Sequence, residues 1–320
     1  MEQKIPLVVL AGPTASGKTA AGVRLCQLLD GEVVSADSMQ IYRGLTVGTA
    51  KPLPEEMQGI PHHLIDFLEP TEPFSVADYV ELARRTIADI HARGKLPVVV
   101  GGTGLYLSSL VDNIQFEKED GDEQVRARLH QQAQREGAQA LWERLLEVDE
   151  AAARRIHPNN VGRVVRALEV YETTGVPISR QQELSRSQPS PYRACMLALN
   201  YRDRQRLYDR INLRVGLMAQ QGLIEEARQL LEHTPGALTS LQAIGYKETA
   251  RYLRGEESLD EALERIRQES RRYAKRQLTW LRRDERYQWF YPDDYEQPEQ
   301  MYRQMQQAVR DFLDGQTAAV

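Results

Sequence analysis

The chain has 320 residues, 41% apolar and 27% charged, a balance that excludes a fibrous or disordered chain and suggests one large or two ordinary globular domains. No apolar run approaches the ~18–20 residues that span a bilayer, and residues 1–4 are polar and lead straight into a strand, so neither a membrane anchor nor a signal peptide is expected. The formal net charge of −5 argues against a nucleic-acid partner only if the charge is evenly spread, and it is not.

The apolar run Ile5–Leu10 reads as a buried strand and residues 17–30 as a helix. Glu32–Ser35 reads as a short second strand, with another expected at His63–Phe67. Ser75–Arg93 is an amphipathic helix with Ser75 as its cap. Leu96–Val100 is a continuous apolar strand that runs into Gly101-Gly102-Thr103-Gly104. This alternation predicts an α/β fold, a parallel sheet with helices on both faces. From about 115 to 190 the strand signal fades. Gly121–Glu136, Ala138–Glu147 and Asn160–Thr174 read as helices, the last ended by Gly175-Val176-Pro177, and Ser185–Pro191 reads as a loop. We therefore expect a helical insertion, 115–190, in a core made of 1–114 and 191–320. Ala194–Leu199 returns to strand. Asp203–Gln221, Leu223–Glu232 and Leu259–Arg282 are predicted helices, and a strand at Tyr287–Tyr291 and a helix at Glu296–Leu313 close the chain. Cys26 and Cys195 form no C-x-x-C motif, so a zinc site or disulfide framework is disfavoured and a reducing cytoplasm fits.

Between the first strand and its helix stand Gly12, Pro13, Thr14, Ala15, Ser16, Gly17, Lys18 and Thr19, a complete G-x-x-x-x-G-K-[ST] phosphate loop in its expected setting. Its backbone N–H groups would surround a di- or triphosphate at a helix N-terminus. Lys18 would neutralise the terminal phosphate and the Thr19 hydroxyl would bind Mg²⁺. A nucleotide hydrolase usually carries an apolar strand ending in Asp to hold that metal. Here Leu96–Val100 ends in two glycines, and Asp66 is a weak substitute. The loop is thus read as a diphosphate holder, and a diphosphate can also be a leaving group on carbon.

Asp37 follows the second strand, whose carboxyl end should reach the same crevice. Beside a diphosphate it would bind metal or accept a proton; alternatively Asp37-Ser38 forms an Asx turn or cap. Gly101–Gly104 could be an ordinary turn or a place where another backbone comes close, with Thr103 supplying a hydroxyl. His62 and His63 are adjacent, so in an extended segment they point to opposite faces and cannot share a metal. Three segments are strongly basic. Residues 154–166 carry Arg154, Arg155, Arg163 and Arg166 without an acid, and 201–214 carry five arginines against Asp203 and Asp209. Residues 271–286 carry seven cations against Asp284 and Glu285, and the acidic tail 287–320 masks them in the total. On a helix, Arg272, Arg276 and Arg283 share one stripe and Arg271, Lys275 and Arg282 the next, with Tyr273 and Trp280 on the other side. One such run is usually a solvated face; three around a diphosphate site favour a polyanion such as RNA.

These residues, taken with Arg166-Ala167-Leu168-Glu169, Ala243-Ile244-Gly245-Tyr246-Lys247 and Lys275-Arg276-Gln277-Leu278-Thr279-Trp280-Leu281-Arg282, closely resemble the motifs of bacterial tRNA dimethylallyltransferases, in the same order, from residue 5 to about 290. The resemblance implies a fold like that of nucleotide kinases, a P-loop parallel sheet with a helical insertion clasping the tRNA anticodon stem-loop. It implies transfer of a dimethylallyl group from dimethylallyl diphosphate to N6 of the adenine on the 3′ side of the anticodon (tRNA position 37), with Mg²⁺. A cytoplasmic monomer is expected. Asp37 would be the base, and Arg210 or Arg214, one helical turn apart, would stabilise the departing diphosphate, with Thr14, Ser16 and Thr103 helping to place it. The RNA-contacting set implied is Asp37, Ser38, Met39, Gln40, Thr103, Arg126, Gly162, Arg163, Val164, Val165, Arg166, Ala243, Ile244, Gly245, Tyr246, Lys247, Lys275, Arg276, Gln277, Thr279, Trp280 and Arg282. One departure is visible: the family usually has Gln where this chain has Gly162. Three other readings compete. An ATP-dependent small-molecule kinase leaves the basic segments and Asp37 unexplained. A prenyltransferase of free adenylate needs no helical insertion. A non-catalytic RNA-binding module needs no Lys18 and Thr19 beside an acid.

Overall fold

A computed structural model of the chain describes residues 4–116, 122–234 and 239–315. Strand β1, Ile5–Ala11, is apolar along almost its whole length, which suits a central strand covered on both faces. It lies in a six-stranded parallel sheet of order β3-β2-β4-β1-β5-β6. The other strands are β2 (Gly31–Ala36), β3 (His62–His63), β4 (Leu96–Gly101), β5 (Tyr192–Leu199) and β6 (Gln288–Phe290). Strand β3 is shorter than the expected His63–Phe67, because Leu64 and Asp66 take positive φ values, 60° and 56°, that no strand accommodates.

The first four helices are α1 (Lys18–Leu29), α2 (Pro54–Met57), α3 (Val76–Ala92) and α4 (Gly104–Val111). The Ser75 side chain accepts from the Asp78 N–H and the Asp78 carboxylate accepts from Ser75, the capping box that starts α3. Helices α3 and α4 cover one face of the sheet, where Tyr79, Ile87 and Leu107 pack on Leu7, Val9 and Val99. Helix α1 and the last helix cover the other, where Leu25, Met305 and Val309 pack on Val8, Leu10 and Val98.

The chain divides into two compact units, Met1–Val111 with Pro191–Val320, and Asp112–Ser190. The second contains α5 (Glu123–Glu136), α6 (Ala138–Val148), α7 (Glu150–Ala153), α8 (Val161–Thr174) and α9 (Ile178–Leu184), and no strand among its described residues. Helix α5 is capped by Asp122, whose carboxylate accepts from Gln124 and Val125; the start expected at Gly121 lies outside the described residues. After β5 the first unit resumes with α10 (Arg204–Gln220), α11 (Leu223–His233), α12 (Tyr246–Leu253), α13 (Leu259–Leu281) and α14 (Pro298–Leu313). No helix among the described residues is long and apolar enough to cross a membrane, and Cys26 and Cys195 are free and buried.

Candidate active site

Parallel register sets the site. Ala11 pairs with Gly101, and Gly101 pairs with Ala36, so β1, β4 and β2 end in one row and their three loops leave side by side. The row can be this tight only without side chains. A Cβ on Gly101 would stand 2.1 Å from the Ala36 carbonyl oxygen, one on Gly102 2.2 Å from Gln277 Nε2, and one on Gly104 2.2 Å from the Trp280 ring. Gly101–Gly104 is thus a place of close approach, the second of the two readings open from sequence.

In the phosphate loop, Ala15 (φ 62°) and Gly17 (φ 92°) take left-handed conformations and α1 begins at Lys18. The N–H groups of Ala15, Gly17, Lys18 and Thr19 have no hydrogen-bond partner among the described residues, which makes this turn an anion-binding nest. Thr14 does not share in it, because its N–H donates to Gln277 Oε1 at 2.9 Å. The Ser16 hydroxyl is buried and has no partner among the described residues, a cost of about 1–3 kcal/mol that a ligand oxygen would relieve. The adjoining cavity has a polar end formed by Lys18, Thr19, Asp37 and Gln40, and apolar walls from Val33, Pro52, Ile65 and Val100. His62, given no part from sequence, lines it too.

Asp37 sits at this polar end. Its Oδ1 accepts from the N–H groups of Met39 (2.9 Å) and Gln40 (3.4 Å), so the Asx turn forms. Its other oxygen has no hydrogen-bond partner among the described residues, so the turn leaves it available. Lys18 retains some exposed surface, yet desolvation lowers its pKa to about 8, with Asp37 raising it and Arg214 lowering it further. Burial likewise pulls the Arg214 guanidinium below its ordinary value against the pull of Asp37 and Glu56. Arg214 therefore lies within electrostatic reach of Lys18 and Asp37. Arg210 is exposed and braces the loop, donating from Nε to the Ala15 carbonyl at 2.9 Å.

Several residues expected at the RNA already have partners within the protein. Gln277 is buried, its amide shared between Thr14 N–H and the Gly102 carbonyl (3.0 Å). Thr103 accepts from the Ser38 N–H at 3.2 Å, so its hydroxyl holds the Asp37 turn. Tyr273, expected on the far side of the helix, instead faces Thr103 and Asp37. Gln40 is turned inward, its Nε2 donating to the carbonyls of Thr49 (3.3 Å) and Ala50 (3.1 Å). Gly245 and Tyr246 are buried, and Ala243 and Ile244 half-buried in apolar clusters. Lys247 pairs with Glu248 at 3.5 Å. This motif is a brace. The Tyr246 hydroxyl donates to Glu226 Oε1 (2.6 Å), and Glu226 also accepts from the N–H groups of Thr46, Val47 and Gly48. The loop so held presents the Ala50 carbonyl to Gln40 and to Arg214 (3.4 Å). Nothing in the sequence marks Glu226.

The cations at and just beyond the end of α13 do reach the surface. Lys275, Arg276, Arg282 and Arg283 are exposed and have no ion-pair partner among the described residues, and Trp280 is half-exposed beside them. Thr279 is exposed, though its hydroxyl donates back to the Lys275 carbonyl. Arg271 and Arg272 are occupied by Glu264 and Glu269. Within the helical unit, Val164 and Val165 are fully buried among Leu129, Leu141 and Leu145 and cannot meet RNA. Arg126 and Arg166 share the buried Glu169, at 2.8 and 3.2 Å. Arg163 is exposed and has no ion-pair partner among the described residues, and Gly162 faces open space where a longer side chain would fit.

A nest of free N–H groups with an enclosed lysine, at the carboxyl end of a parallel sheet, defines a P-loop protein, and the acid on the next loop but one sets it apart from the hydrolases of that class. A family profile for IPP transferase matches residues 40–284, and one for isopentenyl transferase matches residues 5–70. The chain is 48% identical over 313 residues to a tRNA dimethylallyltransferase of Caldanaerobacter subterraneus subsp. tengcongensis, covering 97% of this chain and 98% of that one. Its fold is similar to the full-length tRNA isopentenylpyrophosphate transferase of Bacillus halodurans, with a TM-score of 0.72, 43% identity, and 97% and 99% of the two chains covered. It is also similar to a eukaryotic dimethylallyltransferase acting on tRNA, with a TM-score of 0.73, 30% identity, and 87% and 70% covered. The chain belongs to the IPP transferase family, the tRNA dimethylallyltransferases, which are prenyl-transferring enzymes.

Proposed function

We propose that the chain transfers the dimethylallyl group of dimethylallyl diphosphate to N6 of the adenine on the 3′ side of the tRNA anticodon, acting as a monomer. The observation that carries this reading is the meeting of Lys18, Thr19 and the free oxygen of Asp37 in one cavity, with Arg214 within electrostatic reach of Lys18 and Asp37. A small-molecule kinase could use the same cations and acid, but it would leave the exposed Lys275, Arg276, Arg282 and Arg283 without a task. In prenyl transfer the phosphate-site cations and the acid each have a role. The adenine N6 lone pair is delocalised into the ring, and N6 becomes acidic as it bonds to carbon. The carbon–oxygen bond to the diphosphate breaks, the carbon–nitrogen bond forms, and the N6 proton passes to Asp37. The diphosphate leaves with its electrons into the N–H nest, Lys18 and Arg214. Val33, Pro52, Ile65 and Val100 offer apolar surface to the hydrocarbon tail. The adenine must leave its stack to reach that carbon. Mg²⁺ would be held by the Thr19 hydroxyl, which makes no hydrogen bond among the described residues, and when bound would screen the diphosphate charge. No cluster of three metal-binding side chains stands among the described residues, and Mg²⁺ needs none, since it keeps waters and takes phosphate oxygens.

The test is labelled dimethylallyl diphosphate incubated with bulk tRNA lacking the modification, followed by nucleoside analysis. N6-prenyladenosine formed with Mg²⁺ and without ATP is expected. A strict ATP requirement, or label anywhere else, sinks the reading.

The Lys18 shift gives a pH prediction. In the free protein this lysine loses its proton near pH 8, and a bound diphosphate would raise that value, so donor binding takes up a proton above about pH 8. Donor affinity is expected to fall as pH rises beyond that point, approaching about tenfold per unit. The stability of the free protein changes oppositely. The cost of the enclosed ammonium is present below pH 8 and relieved as pH rises toward the ordinary value of 10.5. Calorimetry of donor binding against pH checks this, with Lys18→Arg as the control whose affinity stays flat. A flat wild-type profile would mean the ammonium is not enclosed.

The free cations at and just beyond the end of α13 are expected to meet tRNA phosphates. Replacing Lys275, Arg276 and Arg282 together by Ala should weaken tRNA binding, leave donor binding intact, and flatten the slope of log K against log salt by about 0.7–0.9 for each phosphate left without its cation. A salt series on both proteins decides it: unchanged slope and affinity would make this stripe a solvated face.

A further inference from the structure

We propose that Gln277 is a positioning residue for the transfer step, a strut that fixes the separation between the loop holding the leaving group and the turn holding the proton acceptor. The inference rests on the transferase reading above. Gln277 is 6% exposed and lies inward of the cations that share its helix. Its Oε1 accepts from Thr14 N–H at 2.9 Å and its Nε2 donates to the Gly102 carbonyl at 3.0 Å. One side chain thus spans two loops that leave adjacent strands. The next links are also hydrogen bonds. Thr103, following Gly102, accepts from the Ser38 N–H, and Ser38 follows Asp37. A continuous line runs from the phosphate loop through Gln277, Gly102, Thr103 and Ser38 to the catalytic acid.

The choice of residue is chemical. A buried N–H and a buried carbonyl facing each other across a gap need one group that accepts at one end and donates at the other, and a primary amide does this from a single rigid plane. A hydrocarbon in its place would leave both backbone groups unpaired. A carboxylate would satisfy Thr14 and set a negative oxygen against the Gly102 carbonyl. Gly102 has no side chain because the amide comes so close; its Cβ would stand 2.2 Å from Nε2. Nothing else among the described residues spans these two loops through one side chain.

The experiment compares wild type with Gln277→Leu and Gln277→Glu. Three quantities are read: donor affinity, tRNA affinity, and single-turnover rate at saturating concentrations of both substrates, the rate taken over a range of pH. Gln277→Leu should bind tRNA as wild type does, while its saturated rate falls by about 10²-fold, the cost of misplacing reacting groups by roughly 1 Å. Gln277→Glu gives a signature that neither a packing role nor an RNA contact would produce. When its carboxyl is neutral, the O–H can donate to the Gly102 carbonyl while the other oxygen accepts from Thr14, restoring the strut. When ionised it cannot. The ratio of its rate to the wild-type rate should therefore rise as pH falls, wild type at each pH correcting for titration of Asp37. If Gln277→Leu does not fold, the Gln277→Glu ratio remains the test. A leucine variant with the wild-type saturated rate, a glutamate ratio flat with pH, or a loss confined to tRNA affinity would each overturn the proposal. If wild type itself makes no N6-prenyladenosine, it is the transferase reading that fails.

Discussion

Asp37→Asn is expected to bind both substrates and to transfer the dimethylallyl group 10²–10⁴-fold more slowly, about the range for loss of a general base. The two carboxylate oxygens have different tasks. Oδ1 closes the turn by accepting from Met39 and Gln40, and an asparagine Oδ1 can accept the same two bonds. The second oxygen, which has no partner among the described residues, becomes an NH₂ that cannot take a proton. The fold of the turn and the shape of the cavity are kept while basicity is lost. Single-turnover rates at saturating donor and tRNA, with both affinities measured separately, isolate the chemical step. A variant that transfers at the wild-type rate would place the proton acceptor elsewhere.

The two arginines of α10 should separate in function. Arg214→Ala is expected to weaken donor binding and to cut the transfer rate by about 10²–10³-fold, the worth of one donor aimed at charge developing on a leaving group. Its guanidinium shares the cavity's field with Lys18 and Asp37, and burial raises the energy of any charge it holds unless an anion is present. Arg210→Ala should cost less than about tenfold, since what it supplies is one hydrogen bond to the Ala15 carbonyl. Donor affinity and single-turnover rate for each variant decide between them. The reverse order would make Arg210 the clamp, and two unchanged variants would move it off this helix.

The parallel core was legible because its signals are local. Apolar runs, a Ser75 cap and an eight-residue loop motif each depend only on near neighbours, and the helical insertion showed as a loss of strand pattern. Side-chain direction within the set expected at the RNA was less legible. Motif membership says that a residue matters, not which way it points. Val164 and Val165 lie with Ala167 and Leu168 on one helical stripe, a spacing that signals a core face rather than an RNA face. Gln277 also falls in an apolar stripe, with Ala274 and Leu281, and a lone amide there is a sign of a buried hydrogen-bonding task. For Tyr246 and Glu226 no such sign exists. Their pairing spans 20 residues and depends on a ring lying against Gly48, which only the tertiary fold creates.

The end of β4 also constrains descent. P-loop hydrolases place a metal-holding acid at the end of an apolar strand, and on paper this sheet is one substitution away from that arrangement, at Gly101. The route is closed sterically. Any side chain there begins with a carbon 2.1 Å from the Ala36 oxygen, so the acid could enter only if β2 and β4 first moved apart. Those strands carry the turns of Asp37 and Thr103, and separating them would dismantle the present chemistry before the hydrolytic type could be reached. An acid at the end of β4 is excluded for as long as β2 and β4 keep this spacing.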